Sequence, residues 1–151
     1  MIKIVNYLPS YALAFKELNE AWINKYFEME ESDQNMLNNP KEYILDKGGA
    51  ILVALMDEKP VGTCALIKID DDNYELAKMA VSPEAQGQKI GWQIGNATIE
   101  KARSLDAKTV YLETNSILTP AINLYKKLGF QEMNGKDSPY SRCNVQMELK
   151  L

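Results

Sequence analysis

The chain has 151 residues, of which 46% are hydrophobic and 25% are charged, and this composition predicts one globular domain over residues 1–151. Its net charge of -4 argues against nucleic-acid binding, which depends mainly on clustered Lys and Arg side chains. The sequence contains no histidine, which excludes Ser-His-Asp and Cys-His nucleophiles and the commonest zinc ligand, so we expect no metal site.

The chain opens with a β-prone run at residues 2–5, followed by a helical pattern. Large apolar residues recur there at spacings of three and four, which predicts a helix with one buried face. The predicted buried face consists of Tyr11, Phe15, Leu18, Trp22 and Tyr26.

The next stretch is polar and irregular, and its structure is the least readable part of the sequence. Pro40 followed by residues 41–46 predicts a short second helix. Several acidic residues precede it, and we interpret them as solvated surface, with attraction of a cationic amine as the alternative. These residues are Glu28, Glu30, Glu31 and Asp33.

Three β-prone runs follow in series, at residues 50–56, 61–69 and 74–81. The first two are separated by Asp-Glu-Lys-Pro and the last two by Asp-Asp-Asp-Asn, and both separators are typical of tight turns. The sequence therefore predicts three consecutive antiparallel strands.

The C-terminal half alternates helices with strands. A helix follows Gly91, residues 109–113 form a strand, and a second helix runs from Thr119, its predicted N-cap, to a stop at Gly129. The tail alternates again as a last strand or pair of strands. The whole order, β-α-α-β-β-β-α-β-α-β-β, predicts an α/β fold with a mixed, mostly antiparallel sheet and helices on both faces.

The segment from Met79 to Arg103 reads as strand, glycine-containing loop and helix. The first turn of a helix leaves backbone N–H groups unpaired and its dipole favours negative charge, so this junction predicts a phosphate site. The G-x-G-x-x-G pattern fails because Lys89 stands where it needs glycine, and the P-loop pattern also fails. The alternative is that Gly87 and Gly91 only shape a turn.

These residues resemble a known family, the GCN5-related N-acetyltransferases (GNAT), whose pyrophosphate loop reads Gln/Arg-x-x-Gly-x-Gly/Ala. Gln86 and Gly91 match that loop, and Lys89 departs from it where the family usually has glycine. Further matches follow at the family's offsets, namely Asn115, Ala121, Tyr125 and Gly129-Phe130. The resemblance covers residues 74–130 well, residues 50–69 loosely, and the first 49 residues only by the order of elements.

The resemblance implies acetyl-CoA as the cofactor and assigns residues to each part of it. Met79, Ala80 and Val81 would offer main-chain groups to the pantetheine arm. Asn115 and Tyr125 would face the thioester end. The residues that would hold the pyrophosphate are Gln86, Gly87, Gln88, Lys89, Ile90 and Gly91.

The activity that the resemblance implies is direct transfer of an acetyl group to a primary amine within a ternary complex. Glu75 could accept the ammonium proton, and its alternative role is that of a solvated strand carboxylate. Tyr125 could donate a proton to the departing sulfur, and its alternative role is that of a core aromatic residue. We interpret Trp22 as a core residue.

Two rival functions are open at this stage: a non-catalytic acyl-CoA-binding or regulatory module of the same fold, and a transferase that uses a longer acyl-CoA. The acceptor amine, a small molecule or a protein amine, is not indicated, and a homodimer is an open alternative. No apolar run reaches the roughly 20 residues that cross a bilayer, and no secretory signal is evident. We therefore expect a cytoplasmic protein without membrane contact, with Cys64 and Cys143 as free thiols.

Overall fold

The structure is a computed structural model that describes residues 1–133 and 142–151. Within these residues one sheet of seven strands has the order β1-β2-β3-β4-β5-β7-β6. The strands are β1 Ile2–Asn6, β2 Ala50–Met56, β3 Lys59–Lys68, β4 Asn73–Val81, β5 Thr109–Thr114, β6 Gln131–Met133 and β7 Val145–Lys150. All neighbouring strands pair antiparallel except β4 and β5, which are parallel.

Four α-helices cover the sheet. They are α1 Ala12–Tyr26, α2 Glu31–Asn38, α3 Ile90–Ser104 and α4 Thr119–Lys127. Alternate residues of β2 divide between two cores: Leu52 packs in one with Ile94 of α3, and Ile51 packs in the other with Phe15 of α1. The predicted fold class, a mixed and mostly antiparallel sheet with helices on both faces, is confirmed. None of the helices described is both long and apolar enough to cross a membrane.

The buried face of α1 differs from the predicted one. It consists of Phe15, Asn19 and Ile23, whereas Tyr26 is 43% exposed. The prediction counted only apolar side chains and therefore passed over Asn19. The Nδ2 of Asn19 donates to the carbonyl of Phe15 at 2.9 Å and to Oγ1 of Thr63 at 3.0 Å, so this amide can be buried without an unsatisfied donor.

The predicted second helix is displaced. The helix α2 precedes Pro40, and Lys41–Leu45 forms a single π-type turn. A capping box starts α2: Glu30 N donates to Oδ2 of Asp33 at 3.0 Å, and the Glu30 side chain accepts from the Asp33 backbone. The sequence prediction missed this helix for two reasons. Its capping box uses Glu and Asp rather than Ser/Thr and Glu, and the helix is too polar to show an apolar face. Asp33 is fully buried, so its interpretation as solvated surface is wrong.

Two predicted boundaries also shift. The strand β3 starts at Lys59 rather than at residue 61, because the turn before it contains only Asp57 and Glu58, both with positive φ. The helix α4 begins at Thr119 itself, after Leu118, so Thr119 is not the N-cap. Gly129 follows α4 with φ of 106°, in the left-handed conformation expected after a helix end.

The central strand β4 separates from β5 partway along its length. Their ladder contains three pairs, of which the last joins Glu75 to Tyr111. Three residues later Lys78 has φ of 53°, a left-handed conformation, and the pairing of β3 with β4 shifts register between Thr63 and Ala65. This bulge directs the second half of β4 away from β5 and opens a space between the two strands.

Candidate active site

The space between the two strands is a cavity of about 80 Å³, named here the β4–β5 cavity. The two predicted catalytic residues, Glu75 and Tyr125, both line it, and so do two predicted cofactor residues, Met79 and Asn115. The fold thus brings together four residues from three separate parts of the sequence, β4, the end of β5 and α4.

Glu75 lies at the last paired position of β4, on the wall of the cavity. The pKa of its carboxyl group is raised to about 7, chiefly by burial and also by the negative charge of Glu113, against the opposing effect of Lys78. A carboxylate with a pKa near neutrality can accept a proton efficiently at physiological pH.

Tyr125 reaches the cavity from α4, and its ring packs edge-on against Phe130 with centroids 6.2 Å apart. Burial raises its pKa well above the ordinary value of 10, and the neighbouring thiols of Cys64 and Cys143 act in the same direction. The hydroxyl group therefore keeps its proton at neutral pH. It is a hydrogen-bond and proton donor in the cavity, although a weaker acid than an exposed tyrosine.

Asn115 lines the cavity, yet main-chain groups already engage its amide. Its Nδ2 donates to the carbonyl of Arg142 at 2.6 Å, and its Oδ1 accepts from the N–H of Ile117 at 3.0 Å. These bonds tie the end of β5 to the residues before β7. The contact between Asn115 and the cofactor thus stays a prediction.

Sequence reasoning missed a buried ion cluster on the cavity wall. Lys78 Nζ lies 2.5 Å from Oδ1 of Asp33, and Arg142 contacts both Asp33 oxygens at 2.7 and 2.8 Å. Arg142 also contacts Glu30 at 3.1 Å. Burial by itself would raise the pKa of Asp33, but the hydrogen bonds from Arg142 and the charge of Lys78 outweigh burial and lower it to about 2.

Three further residues line the cavity that the sequence did not assign to a site. Trp22 contacts the second core, as expected, and also lines the cavity. Cys143, a free thiol like Cys64, lies on the same wall. Glu113 could have been found, because it stands on the same face of β5 as Tyr111, the partner of Glu75. No comparable signal in the sequence points to Asp33 or Arg142.

A second, larger space of about 910 Å³ lies between the start of α3 and α4, and we name it the α3–α4 cleft. Five of the six predicted pyrophosphate residues line it, and Val81 of β4 lines its inner end. The five are Gln86, Gly87, Lys89, Ile90 and Gly91. Within the described part of the chain, the predicted cofactor residues that line neither space are Ala80, which is buried, and Gln88.

The N-terminus of α3 faces this cleft without a side-chain cap. Lys89 occupies the N-cap position with φ of 58°, and no side chain of the described residues hydrogen-bonds to the first turn. The first backbone N–H groups of a helix have no intrahelical partner and attract anions. Gly87 (φ 85°) precedes it, and Lys127 of α4 adds a second cation to the lining.

Nothing in the described ranges, 1–133 and 142–151, forms a metal-binding group. No three or more Cys, Asp or Glu side chains there are arranged to hold a metal ion.

Comparison with known proteins gives a consistent result. The sequence pattern of the acetyltransferase (GNAT) family matches residues 15–130. Human N-acetyltransferase 8B is 30% identical over 103 residues, which are 65% of this chain and 45% of that protein. The chain spans about half the length of the first curated relatives that it matches.

Solved structures agree with the fold along almost the whole chain. A GNAT-family acetyltransferase of Staphylococcus aureus is 25% identical, with a TM-score of 0.89 over 99% of both chains. The Salmonella typhimurium protein yncA, whose structure contains its cofactor acetyl-CoA, is 17% identical, with a TM-score of 0.81 over 99% of this chain and 93% of that one. The second likeness concerns the fold alone.

Proposed function

Because the chain belongs to the acetyltransferase (GNAT) family, we propose that it is an acetyl-CoA-dependent N-acetyltransferase that moves an acetyl group to a primary amine. In this proposal residues 1–151 act as one domain, and transfer is direct, within a ternary complex. The observation that carries it is the course of β4, which joins the two spaces: Met79 lines the β4–β5 cavity, and Val81, two residues later on the same strand, lines the α3–α4 cleft.

The α3–α4 cleft suits the nucleotide and pyrophosphate of coenzyme A. The uncapped N-terminus of α3 and the cations of Lys89 and Lys127 would bind phosphate, and the half-exposed ring of Trp92 offers an apolar surface. The main chain of β4 beyond Glu75, past the end of its ladder with β5, would hold the pantetheine arm. When bound, acetyl-CoA supplies the activated acetyl thioester.

Glu75 would prepare the amine. An alkylammonium ion has a pKa of about 10.4, so the acceptor must lose a proton before its nitrogen can attack. The carboxylate of Glu75 lies on the cavity wall and has a pKa of about 7, so it could take that proton.

Tyr125 would supply a proton at the opposite end of the reaction. Its hydroxyl group keeps its proton in the buried cavity, because burial and the thiols beside it raise its pKa. In this role Tyr125 Oη donates to the leaving sulfur, and the ring, packed against Phe130, holds the donor in position.

Two measurements on the same protein test the proposal. Acetyl-CoA at millimolar concentration should raise the melting temperature, because a ligand that binds only the native state stabilises it by mass action. A panel of primary amines should then release free CoA thiol, and initial-rate plots should intersect as expected for a ternary complex. Stabilisation without thiol release from any amine would favour the non-catalytic module, and no stabilisation would overturn the proposal.

The length of the acyl group, the cellular location and the oligomeric state of the protein are separate predictions. The same assay with propionyl- and succinyl-CoA compares the acetyl donor with its longer rivals. A cytoplasmic location stays a prediction for cell fractionation, and a homodimer for measurement of mass in solution.

A further inference from the structure

Glu113 lines the β4–β5 cavity, and the proposed mechanism gives it no role. Its carboxylate accepts a hydrogen bond from the hydroxyl of Tyr111, while its Oε2 atom is buried without a hydrogen-bond partner among the residues described. A buried carboxylate oxygen in this state costs free energy unless a donor arrives. Because Glu113 lines the cavity, a bound molecule can be that donor.

Among the residues described, the cavity wall carries an excess of negative charge. The two cations that line it there, Lys78 and Arg142, form ion pairs with Asp33 and Glu30. Glu75 and Glu113 then face the same cavity as a pair of carboxylates, and the negative charge of Glu113 disfavours the ionised form of Glu75. Such a wall attracts a cation and repels an anion.

We infer that Glu113 is a specificity-determining residue, and that with Glu75 it binds the ammonium group of a small cationic acceptor that has no carboxylate. The inference rests on the proposed function. An ammonium group has three N–H donors, enough to serve both carboxylates. A cavity of about 80 Å³ has roughly half the volume of the 150 Å³ that accommodates benzene, so the end that enters is an unbranched aminoalkyl group.

The two carboxylates have different duties in this site. The ammonium nitrogen gives one proton to Glu75, which becomes a neutral carboxylic acid, and the nitrogen becomes a neutral amine. Glu113 accepts a hydrogen bond from one of the remaining N–H groups. The carboxylate of Glu113 also attracts a second positive charge on the acceptor. The favoured class of acceptor is therefore an unbranched diamine.

Three four-carbon amines that differ in their far end test this inference: 1,4-diaminobutane, butylamine and 4-aminobutanoate. For the wild-type protein at low salt, kcat/KM should fall in that order, with at least about a tenfold difference between the diamine and the amino acid. In Glu113→Gln the difference should shrink to about threefold, mainly through a higher KM for the diamine. Acetyl-CoA should stabilise this variant as it does the wild type.

Glu100→Gln is the matched control, because Glu100 is an exposed carboxylate on α3 outside the β4–β5 cavity. It should leave the order and the ratio unchanged. Turnover of all three amines at similar kcat/KM, a preference for 4-aminobutanoate, or an unchanged ratio in Glu113→Gln would overturn the inference and leave the proposed function standing. No thiol release with these amines or with a wider panel would overturn both.

Discussion

The α3–α4 cleft and the β4–β5 cavity are neighbours on the same strand, yet they are built from different parts of the chain. The cleft is formed mainly by one continuous segment and its helix N-terminus, and main-chain groups and exposed side chains face it. The cavity is formed by residues from both ends of the sequence, and buried charges hold its wall. A loop that binds through its backbone tolerates many side chains, whereas a buried ion cluster does not tolerate the loss of one partner.

This contrast suggests a division of labour. Under the proposed function, the cleft would supply a general phosphate-binding surface, in which single side chains adjust affinity by small amounts. The cavity would supply the reacting groups and the selection of the acceptor, and there single substitutions should have large effects. The following predictions test that difference, from the largest expected effect to the smallest.

Asp33→Ala should destabilise the protein most. It removes the carboxylate that both Lys78 and Arg142 contact, and leaves two cations in a site where Lys78 is 4% and Arg142 12% exposed. Breaking a buried ion pair from one side costs about 3–5 kcal/mol. Urea unfolding would measure this loss. Asp46→Ala is the control, because its ion pair with Lys41 is exposed and should contribute at most about 1 kcal/mol.

Equal losses in the two variants would remove the contrast between buried and exposed charge. A smaller loss for Asp33→Ala together with a lower kcat would instead assign the cluster to positioning of the bulge at Lys78. Double substitution of Asp33 and Lys78 should recover part of the loss, because it removes the two charges together.

Tyr125→Phe should lower kcat by at least about tenfold, since general-acid assistance is commonly worth about 10²–10⁴-fold. The ring remains packed against Phe130, so acetyl-CoA affinity should change by no more than about threefold. Steady-state kinetics with a good acceptor and a binding titration separate the two quantities. Tyr43→Phe is the control, because Tyr43 lines neither space. A loss of only a few fold would count against the proposed role.

Glu75→Gln should change how stability depends on pH. The pKa of Glu75 is raised from 4.5 to about 7 in the folded protein, so the folded state holds its proton more tightly than the unfolded chain. This contribution to stability is fully present below pH 4.5 and is lost as the pH rises through about 7. The free energy of unfolding of the variant minus that of the wild type should therefore be about 1–3 kcal/mol larger at pH 8 than at pH 4. Parallel pH profiles of the free energy of unfolding would contradict the placement of Glu75 in a desolvated site.

Lys89 should give the smallest effect. Lys89→Ala removes a cation from the α3–α4 cleft, and acetyl-CoA binding should weaken by about two- to fivefold at low salt and less at high salt. Lys89→Gly removes the same charge and also relieves the strain of the left-handed backbone at this position. Its free energy of unfolding should therefore exceed that of Lys89→Ala by about 1 kcal/mol. If the loss of acetyl-CoA affinity were the same at low and high salt, Lys89 would act through the geometry of the loop rather than through its charge.

Much of the fold and of the cleft could be predicted because their signals are local. The strand and helix order follows from hydrophobic periodicity, and the loop from Gln86 to Gly91 is contiguous. The cavity is different: Asp33 contacts Lys78 across 45 positions and Arg142 across 109, and nothing near Asp33 marks it as buried. The burial of Asn19 was not predicted for the same reason, since its partner Thr63 lies 44 positions away in the sequence. A polar residue inside a core can be recognised only once its distant partners are known.

The buried ion cluster has a consequence for the exchange of segments between relatives. Its four residues come from α2 and its N-cap, from β4 and from the chain just before β7, so no single continuous graft carries all of them. A chimera that imports only a foreign α2 would leave Lys78 and Arg142 facing the wrong partner inside the protein. We therefore expect that the wall of the β4–β5 cavity can be transplanted only as a coordinated set of substitutions, whereas the contiguous loop from Gln86 to Gly91 can be moved as one piece.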